Sequence, residues 1–133
     1  MNQAEAVKAA VLRLYGAIGS TDLEAISNQF STGPDVLAIG TDAHEWWVGH
    51  SSIVEGLRRQ FEGAAKRSIV PGELVAHAEG TLGWASDRRT RQMPNGKEIT
   101  IRETFVLRLE DGEWKIVQFH ASLATPDTAA ALQ

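Results

Sequence analysis

The first part of the chain carries apolar residues at helical spacing. In residues 3–18 they recur every three or four positions, at Val7, Val11, Leu14 and Ile18. This spacing predicts an amphipathic helix, and Gly19 is a typical end for it. A second, shorter helix is predicted in STDLEAISNQF, where Thr21 and Glu24 have the spacing of a capping box.

Two short extended runs separate these helices from a third. DVLAIG and HEWWVG are strand candidates, and the three residues between them would make a hairpin turn. The segment HSSIVEGLRRQFEGAAK returns to helical spacing, and Ser52 with Glu55 forms a second potential capping box. We therefore expect two helices, a hairpin and a third helix, in that order.

After residue 67 the pattern changes to strands. Turn signals in EG, PNG and EDGE separate four predicted strands, at about 69–78, 81–92, 97–109 and 112–123. The last ten residues, 124–133, look like a C-terminal tail. The order predicts an α+β fold, in which the three N-terminal helices cover one face of a strongly curved mixed sheet.

Length and composition narrow the function. With 133 residues the chain fits a single domain, 1–133. The net charge of −4 gives no support to nucleic-acid binding, and the absence of cysteine excludes disulfides and thiolate chemistry. The N-terminus resembles neither a signal peptide nor a membrane span, so we expect a cytoplasmic protein without membrane contact. The histidines lack metal-ligand spacing, and we expect no metal and no cofactor.

Two turns allow the register of the last three strands to be counted. Asp111-Gly112 and Asn95-Gly96 are typical of two-residue hairpin turns. Counting from both turns gives a predicted pocket face of Leu82, Trp84, Ser86, Arg88, Ile101, Glu103, Phe105, Leu107, Leu109, Trp114, Ile116, Gln118 and His120. The polar residues of the opposite face would be solvated or face a second subunit: Asp87, Arg89, Arg91, Arg102 and Thr104.

This count places Arg88, Glu103 and His120 side by side. An acid between a guanidinium and an imidazole can orient one imidazole nitrogen and leave the other for a ligand. We therefore take these three as candidate catalytic residues. A purely structural ion network at the open end of the sheet is an equally good interpretation.

The adjacent tryptophans Trp46 and Trp47 must point to opposite faces of a strand. We predict that one indole lines a cavity and that the other points outward. The candidate ligand-binding residues are Tyr15, Phe30, Trp46, Trp47, Trp84, Phe105 and Gln118. Simple filling of the core is the alternative for any single tryptophan.

The element order and two motifs resemble a known family. FSTGPDVLAIGTDAHEWWVGHSSI leads into the third helix, and RETFVLRLEDGEWKIVQFHAS forms the last hairpin. Both are similar to the SnoaL-like group of the nuclear transport factor 2-like superfamily, and the resemblance covers nearly the whole chain. It implies a cone-shaped cavity and often a homodimer formed sheet to sheet. It does not imply one activity, because this fold hosts isomerases, dehydratases, cyclases and non-catalytic binding proteins.

Three functions remain open at this point. The first is a protein that binds a small apolar molecule without acting on it. The second is a cofactor-independent isomerase, dehydratase or cyclase, with His120 as general acid/base and Glu103 as its orienter. The third is an assembly module whose cavity is plugged by Trp84 and Phe105.

We also expect a homodimer through the convex face of the sheet. The count puts four apolar residues there, which would otherwise leave an exposed apolar patch: Val106, Val117, Phe119 and Leu123.

Overall fold

The structure, a computed structural model, describes residues 1–125. The helices are α1 (Gln3–Gly19), α2 (Leu23–Gln29) and α3 (His50–Phe61), and none of these described helices is long and apolar enough to span a membrane. The strands are β1 (Leu37–Ile39), β2 (Trp46–Val48), β3 (Val75–Glu79), β4 (Leu82–Gln92), β5 (Glu98–Glu110) and β6 (Glu113–Leu123). The predicted tail at 124–133 lies outside the described residues, apart from its first two positions.

The six described strands form one mixed sheet in the order β2-β1-β6-β5-β4-β3. β1 runs parallel to β6, and every other neighbouring pair is antiparallel. We call the sheet face that packs against the helices the concave face, and the other the outer face. This arrangement confirms the predicted α+β fold with three helices on a curved mixed sheet.

Neither predicted capping box forms. Asp22, not Thr21, caps α2, and Thr21 has a left-handed φ of 54° that keeps it outside the helix. α3 begins after Gly49, whose φ is 90°, and has no side-chain cap, so the Ser52 box does not form. α3 also ends earlier than predicted, at Phe61.

The core lies between α1 and the concave face. The buried stripe of α1 comprises Val7, Ala10, Val11, Leu14, Tyr15 and Ala17. Gly83 of β4 allows close packing, since a Cβ there would lie 2.6 Å from Cγ2 of Val7. Close packing of α1 on β4 brings Tyr15, one turn from the C-terminal end of the helix, over the middle of the sheet.

The β5–β6 hairpin follows the predicted register only near its turn. Asp111 and Gly112 both have left-handed φ, as a two-residue turn requires, and Glu110 pairs with Glu113. A register shift follows: Leu107 pairs with Ile116, but Val106 pairs with Gln118. One extra residue, Val117, is therefore accommodated as a bulge, and every later residue of β6 changes face.

The β4–β5 hairpin departs from the predicted register throughout. The Met93 amide donates to the Lys97 carbonyl at 2.8 Å, so the loop has three residues, 94–96, and not two. Gly96 at its end has a φ of 83°, which is typical of a type I turn followed by a left-handed residue. Trp84 consequently pairs with Val106, not with Leu107.

Candidate functional site

A cavity of about 310 Å³ lies between α3, the segment joining β1 to β2, and the ends of β4, β5 and β6. Its walls are mainly apolar: Phe30, Ala38, Trp47, Ile53, Leu57, Met93, Ile99, Ile101, Phe119, Ala121 and Leu123. Polar groups occur in two places. Arg89, Arg91 and Glu103 come from the sheet, whereas Glu45 and Gln60 meet across the gap between the β1–β2 segment and α3.

The side chains of the two adjacent tryptophans point to opposite faces of the sheet, as strand geometry predicts. Trp47 is half-buried and lines the cavity, whereas Trp46 points outward and is 62% exposed. Trp47 packs directly on Gly56 of α3, where an added Cβ would lie 2.5 Å from the indole Cε2. The absence of a side chain at Gly56 thus makes room for the indole on the cavity wall.

Four buried polar side chains form a connected cluster beside the cavity, which we call the buried quartet: Tyr15, Asp87, Arg89 and Glu103. The Tyr15 hydroxyl lies 2.7 Å from Asp87 Oδ2 and 3.0 Å from Glu103 Oε1. Because it carries one hydrogen, it donates to one carboxylate at a time. Arg89 donates to Glu103 from Nε at 2.7 Å and from Nη2 at 3.5 Å.

Backbone groups complete the partners of Asp87. The amides of Gly72 and Glu73 donate to its Oδ1 at 3.1 and 2.8 Å. Asp87 therefore anchors the segment before β3 to the sheet and also holds the Tyr15 hydroxyl. Its charge is directed away from the cavity, which it does not line.

Burial and neighbouring charges fix the protonation of two members of the quartet. Burial, followed by the charge of Glu103 and the hydrogen bond to Asp87, raises the pKa of Tyr15 well above its ordinary value of about 10. Burial alone would lower the pKa of Arg89, but the hydrogen bond and charge of Glu103, followed by Tyr15, raise it overall. Tyr15 is therefore a neutral donor, and Arg89 stays charged.

Arg89 and Glu103 are the members of the quartet that reach the cavity. Arg89 is also placed over the Tyr15 ring, with its guanidinium carbon 5.4 Å from the ring centre. Arg91, two residues along the same strand face, lines the cavity as well. The site thus offers fixed charges at the inner end of a mostly apolar space.

The predicted row of Arg88, Glu103 and His120 does not form. Glu103 pairs with Asp87 and Ala121, and the shifted registers place Arg88 and His120 on the outer face. Arg88 forms an exposed salt bridge with Glu73 there, at 2.8 Å. The prediction was wrong because it assumed a two-residue turn at Asn95-Gly96 and no bulge in β6.

The predicted ligand-binding residues divide into three groups. Phe30 and Trp47 line the cavity. Tyr15 and Phe105 are buried next to each other in the core, with ring centres 6.1 Å apart, and do not line it. The remaining three lie on the outer face: Trp46, Trp84 and Gln118. Trp84 stacks there on His77 at 5.6 Å.

Sequence reasoning missed Asp87, Arg89 and Arg91, which it assigned to a solvated face. A signal was present in the loop before β5. Pro94 is favoured at the second position of a type I turn, which makes Asn95 the third position and Gly96 the left-handed residue. Counted as a three-residue loop, this hairpin puts Asp87 opposite Glu103, as observed.

The sequence and the fold identify the family to which the chain belongs. The profile of the SnoaL-like domain family matches residues 7–126. The chain therefore belongs to the SnoaL-like domain family, and its fold is that of the nuclear transport factor 2-like (NTF2-like) superfamily. No curated protein matches it in sequence.

Solved structures share the fold at low sequence identity. An NTF2-like protein of unknown function from Pseudomonas putida KT2440 has a TM-score of 0.80 and 18% identity, over 96% of this chain and 89% of that one. A proposed dehydratase of the NTF2-like family from Streptomyces avermitilis has a TM-score of 0.78 and 16% identity, over 92% and 96%. A ketosteroid isomerase-like protein from Erwinia carotovora atroseptica has a TM-score of 0.72 and 19% identity, over 95% and 100%. At these identities the similarity shows the fold alone.

Proposed function

We propose that the protein binds a small, largely apolar molecule in the cavity, with the polar group of that molecule at the Arg89–Glu103 end. The observation that carries this proposal is a buried ion pair at one end of a cavity whose walls are mainly apolar. A concave apolar site with a few fixed polar groups is the usual form of a ligand pocket, and about 310 Å³ is at the small end of the usual range.

The composition of the buried quartet supports this proposal. Removing two carboxylates and a guanidinium from water costs free energy, and apolar residues of similar volume would often stabilise the fold as well or better. The quartet leaves no fully buried polar atom unpaired, since every such side-chain nitrogen and oxygen among the described residues has a partner. An elaborate polar arrangement that stability does not require is a reasonable sign of a ligand site.

The cavity is also open to a ligand. A plugged assembly module would need Trp84 and Phe105 to fill the space, but Trp84 lies on the outer face and Phe105 lies in the core beneath α1. This arrangement favours binding over a purely structural role.

Binding can be tested with octan-1-ol as a neutral probe, by following the indole N–H resonances of the four tryptophans. We expect a saturable shift of the Trp47 resonance, because this indole lines the cavity, and little change at the outward-facing Trp46 and Trp84. Ala121→Leu should abolish the shift by filling the cavity. Ser122→Leu adds the same bulk from the next residue of β6, on the other face, and should preserve it. Equal shifts at all tryptophans, or none, would contradict the proposal.

A second candidate is acid–base chemistry in the same cavity without a cofactor. The observation that favours it is that Glu103, the sheet's only carboxylate lining this cavity among the described residues, is held next to a tyrosine hydroxyl. Glu103 would then act as the general base. His120, the residue predicted for this role, lies on the outer face and cannot reach the cavity. The fold relatives named as a dehydratase and as ketosteroid isomerase-like are consistent with such chemistry.

Proton exchange next to a carbonyl separates the two functions. Octan-2-one in deuterium oxide should exchange its α-protons faster with the enzyme present than in buffer alone if Glu103 is a base. Glu103→Gln should then abolish the exchange and leave binding measurable. Binding of the ketone without accelerated exchange would contradict the acid–base function and support binding alone.

We also propose that two copies associate through their outer sheet faces. Five large apolar residues are exposed on that face: Trp46, Val48, Val75, Leu82 and Trp84. They replace the predicted set in part, because Phe119 and Leu123 line the cavity after the β6 bulge. Trp46 and Val48 lie on the edge strand β2, and the other three lie on β3 and β4 at the opposite edge. An interface over the outer face would cover both groups.

A further inference from the structure

The two arginines at the inner end of the cavity differ in how many of their hydrogen-bond donors are used by other protein groups. Arg89 uses Nε and Nη2 to hold Glu103, and its Nη1 has no protein acceptor among the described residues. Arg91 lines the cavity and forms no ion pair or side-chain hydrogen bond within residues 1–125. Donors that no protein group uses are available to a ligand.

The charges of Arg91 and Arg89 also act on a third arginine, which does not line the cavity. Arg67, in the segment after α3, is tied to the end of α1 by its backbone amide, which donates to Gly19 at 2.8 Å. Loss of hydration, followed by the charges of Arg91 and then Arg89, lowers the pKa of Arg67. The positive charges of Arg91 and Arg89 thus disfavour the charged form of Arg67, and an anion between Arg89 and Arg91 would offset them.

We propose that the cavity ligand is a carboxylate with an apolar chain or ring, whose carboxylate accepts hydrogen bonds from Arg91 and from the free edge of Arg89. This inference rests on the proposed binding function and adds the chemical class of the ligand. Guanidinium groups suit carboxylates because they are planar, permanently charged and donate two parallel hydrogen bonds.

The acidic residues of the cavity do not oppose this assignment. Glu103 is engaged by Arg89 through both oxygens and faces Tyr15, so its charge is already compensated. Glu45 is on the α3 side of the cavity, where Gln60 donates to its Oε2 at 2.8 Å and the Asp42 amide donates to its Oε1 at 3.2 Å. Glu45 forms no ion pair among the described residues, but it lies on the other side of the cavity from the arginines, and Arg91 does not pair with it.

The walls define the remainder of the ligand. Aromatic and branched aliphatic side chains surround the space between the two polar ends, with Trp47 and Phe30 on the helix side and Ile101 and Phe119 on the sheet side. Such walls gain free energy from apolar groups, and partners for a second polar group occur only at the end that carries Thr41, Glu45 and Gln60. A small monocarboxylate therefore fits better than a sugar, a nucleotide or a dicarboxylate.

Three probes of equal chain length test the inference: octanoate, octan-1-ol and octylamine. Their affinities are measured by calorimetry on the intact chain. We expect octanoate to bind about tenfold or more tightly than octan-1-ol, and octylamine to bind most weakly. Arg91→Met should remove most of the preference for octanoate and leave the affinity for octan-1-ol nearly unchanged. Arg91→Lys should retain part of the preference.

Arg13→Met provides the matched control, because Arg13 is an exposed arginine on α1 away from the cavity. It should change neither affinity. Octan-1-ol binding as tightly as octanoate, or octylamine binding best, would overturn the carboxylate assignment while the proposed function stood. Failure of all three probes to bind would overturn both.

Discussion

Tyr15 connects the helical layer to the charged part of the sheet. It is the only tyrosine of the chain, and its hydroxyl meets Asp87 and Glu103 at 2.7 and 3.0 Å. Its ring packs on Phe105 in the core, while its hydroxyl takes part in the polar cluster. Tyr15 therefore helps to position Glu103 at the polar end of the cavity, although Tyr15 itself does not line the cavity.

The titration of Tyr15 should report this burial directly. Its pKa in the folded protein is raised above the value near 10 of an unfolded chain, so its contribution to stability is complete below pH 10 and is lost as the pH rises above that value. The free energy of unfolding should fall by up to about 1.4 kcal/mol per pH unit in that window from this group. Absorbance at 295 nm should therefore rise only as the protein unfolds.

A single tyrosine makes the measurement unambiguous. Protein unfolded in urea should titrate near pH 10, and Tyr15→Phe should show no tyrosinate signal at all. A rise at 295 nm near pH 10 in protein that circular dichroism shows to be folded would contradict the burial of the hydroxyl.

Individual residues were the least predictable level. Glu103 was expected at the site from its strand and position, and it is there. Arg89, its actual partner, was expected on the other face. The physical reason is the two-residue period of a strand: a shift of one position exchanges all inward and outward side chains, so a small error in a turn changes every assignment.

At the scale of elements, α3 packs closely on strand β2 because Gly56 has no side chain at the point of contact. Gly56 is buried in α3 and lies directly against the Trp47 indole. By intrinsic propensity alone, a glycine inside a helix is a weak point. Its contact explains why the helix tolerates the weakness.

Two glycine substitutions should therefore have opposite effects. Gly56→Ala gains up to about 1 kcal/mol in helix propensity but places a Cβ 2.5 Å from Trp47, and overpacking of this kind costs about 1–3 kcal/mol. We expect a net loss of stability in urea unfolding, together with a changed Trp47 environment. In Gly16→Ala of α1 nothing lies within 4 Å of the new Cβ, and we expect a gain of about 1 kcal/mol. Equal stabilisation of both variants would show that Trp47 does not pack on α3.

Element types and their order were predictable because they rest on periodicity and on turn residues. The registers were predictable only where a turn has a unique signature. The Asp111-Gly112 turn predicts the pairing of Glu110 with Glu113 correctly. The bulge at Val117 could not be predicted, because no characteristic residue type marks it in the sequence. Bulges are set by how the curved sheet closes over its helices, which is a tertiary effect.

At the scale of the whole molecule, the two faces of the sheet have separate roles in this account. The concave face holds the core and the cavity, and the outer face carries exposed tryptophans and valines. The family and the overall fold were predictable from element order and two motifs, whereas the function was not, because one fold carries many activities.

The outer face provides a prediction on assembly. Trp84→Glu places a charge among the exposed apolar residues of β3 and β4 and should weaken the proposed dimer at least tenfold, as seen by light scattering at micromolar concentration. Val70→Glu is the control, since Val70 is 69% exposed but lies outside the sheet. A wild-type protein that is monomeric under these conditions would contradict the association.

The central claim, that the cavity is a carboxylate-binding site, is tested most directly by a crystal structure of the protein grown with saturating octanoate. The account predicts octanoate inside the cavity, with its carboxylate within about 3 Å of the guanidiniums of Arg91 and Arg89 and its chain against Trp47. An empty cavity, or octanoate bound with its carboxylate pointing away from both arginines, would contradict it.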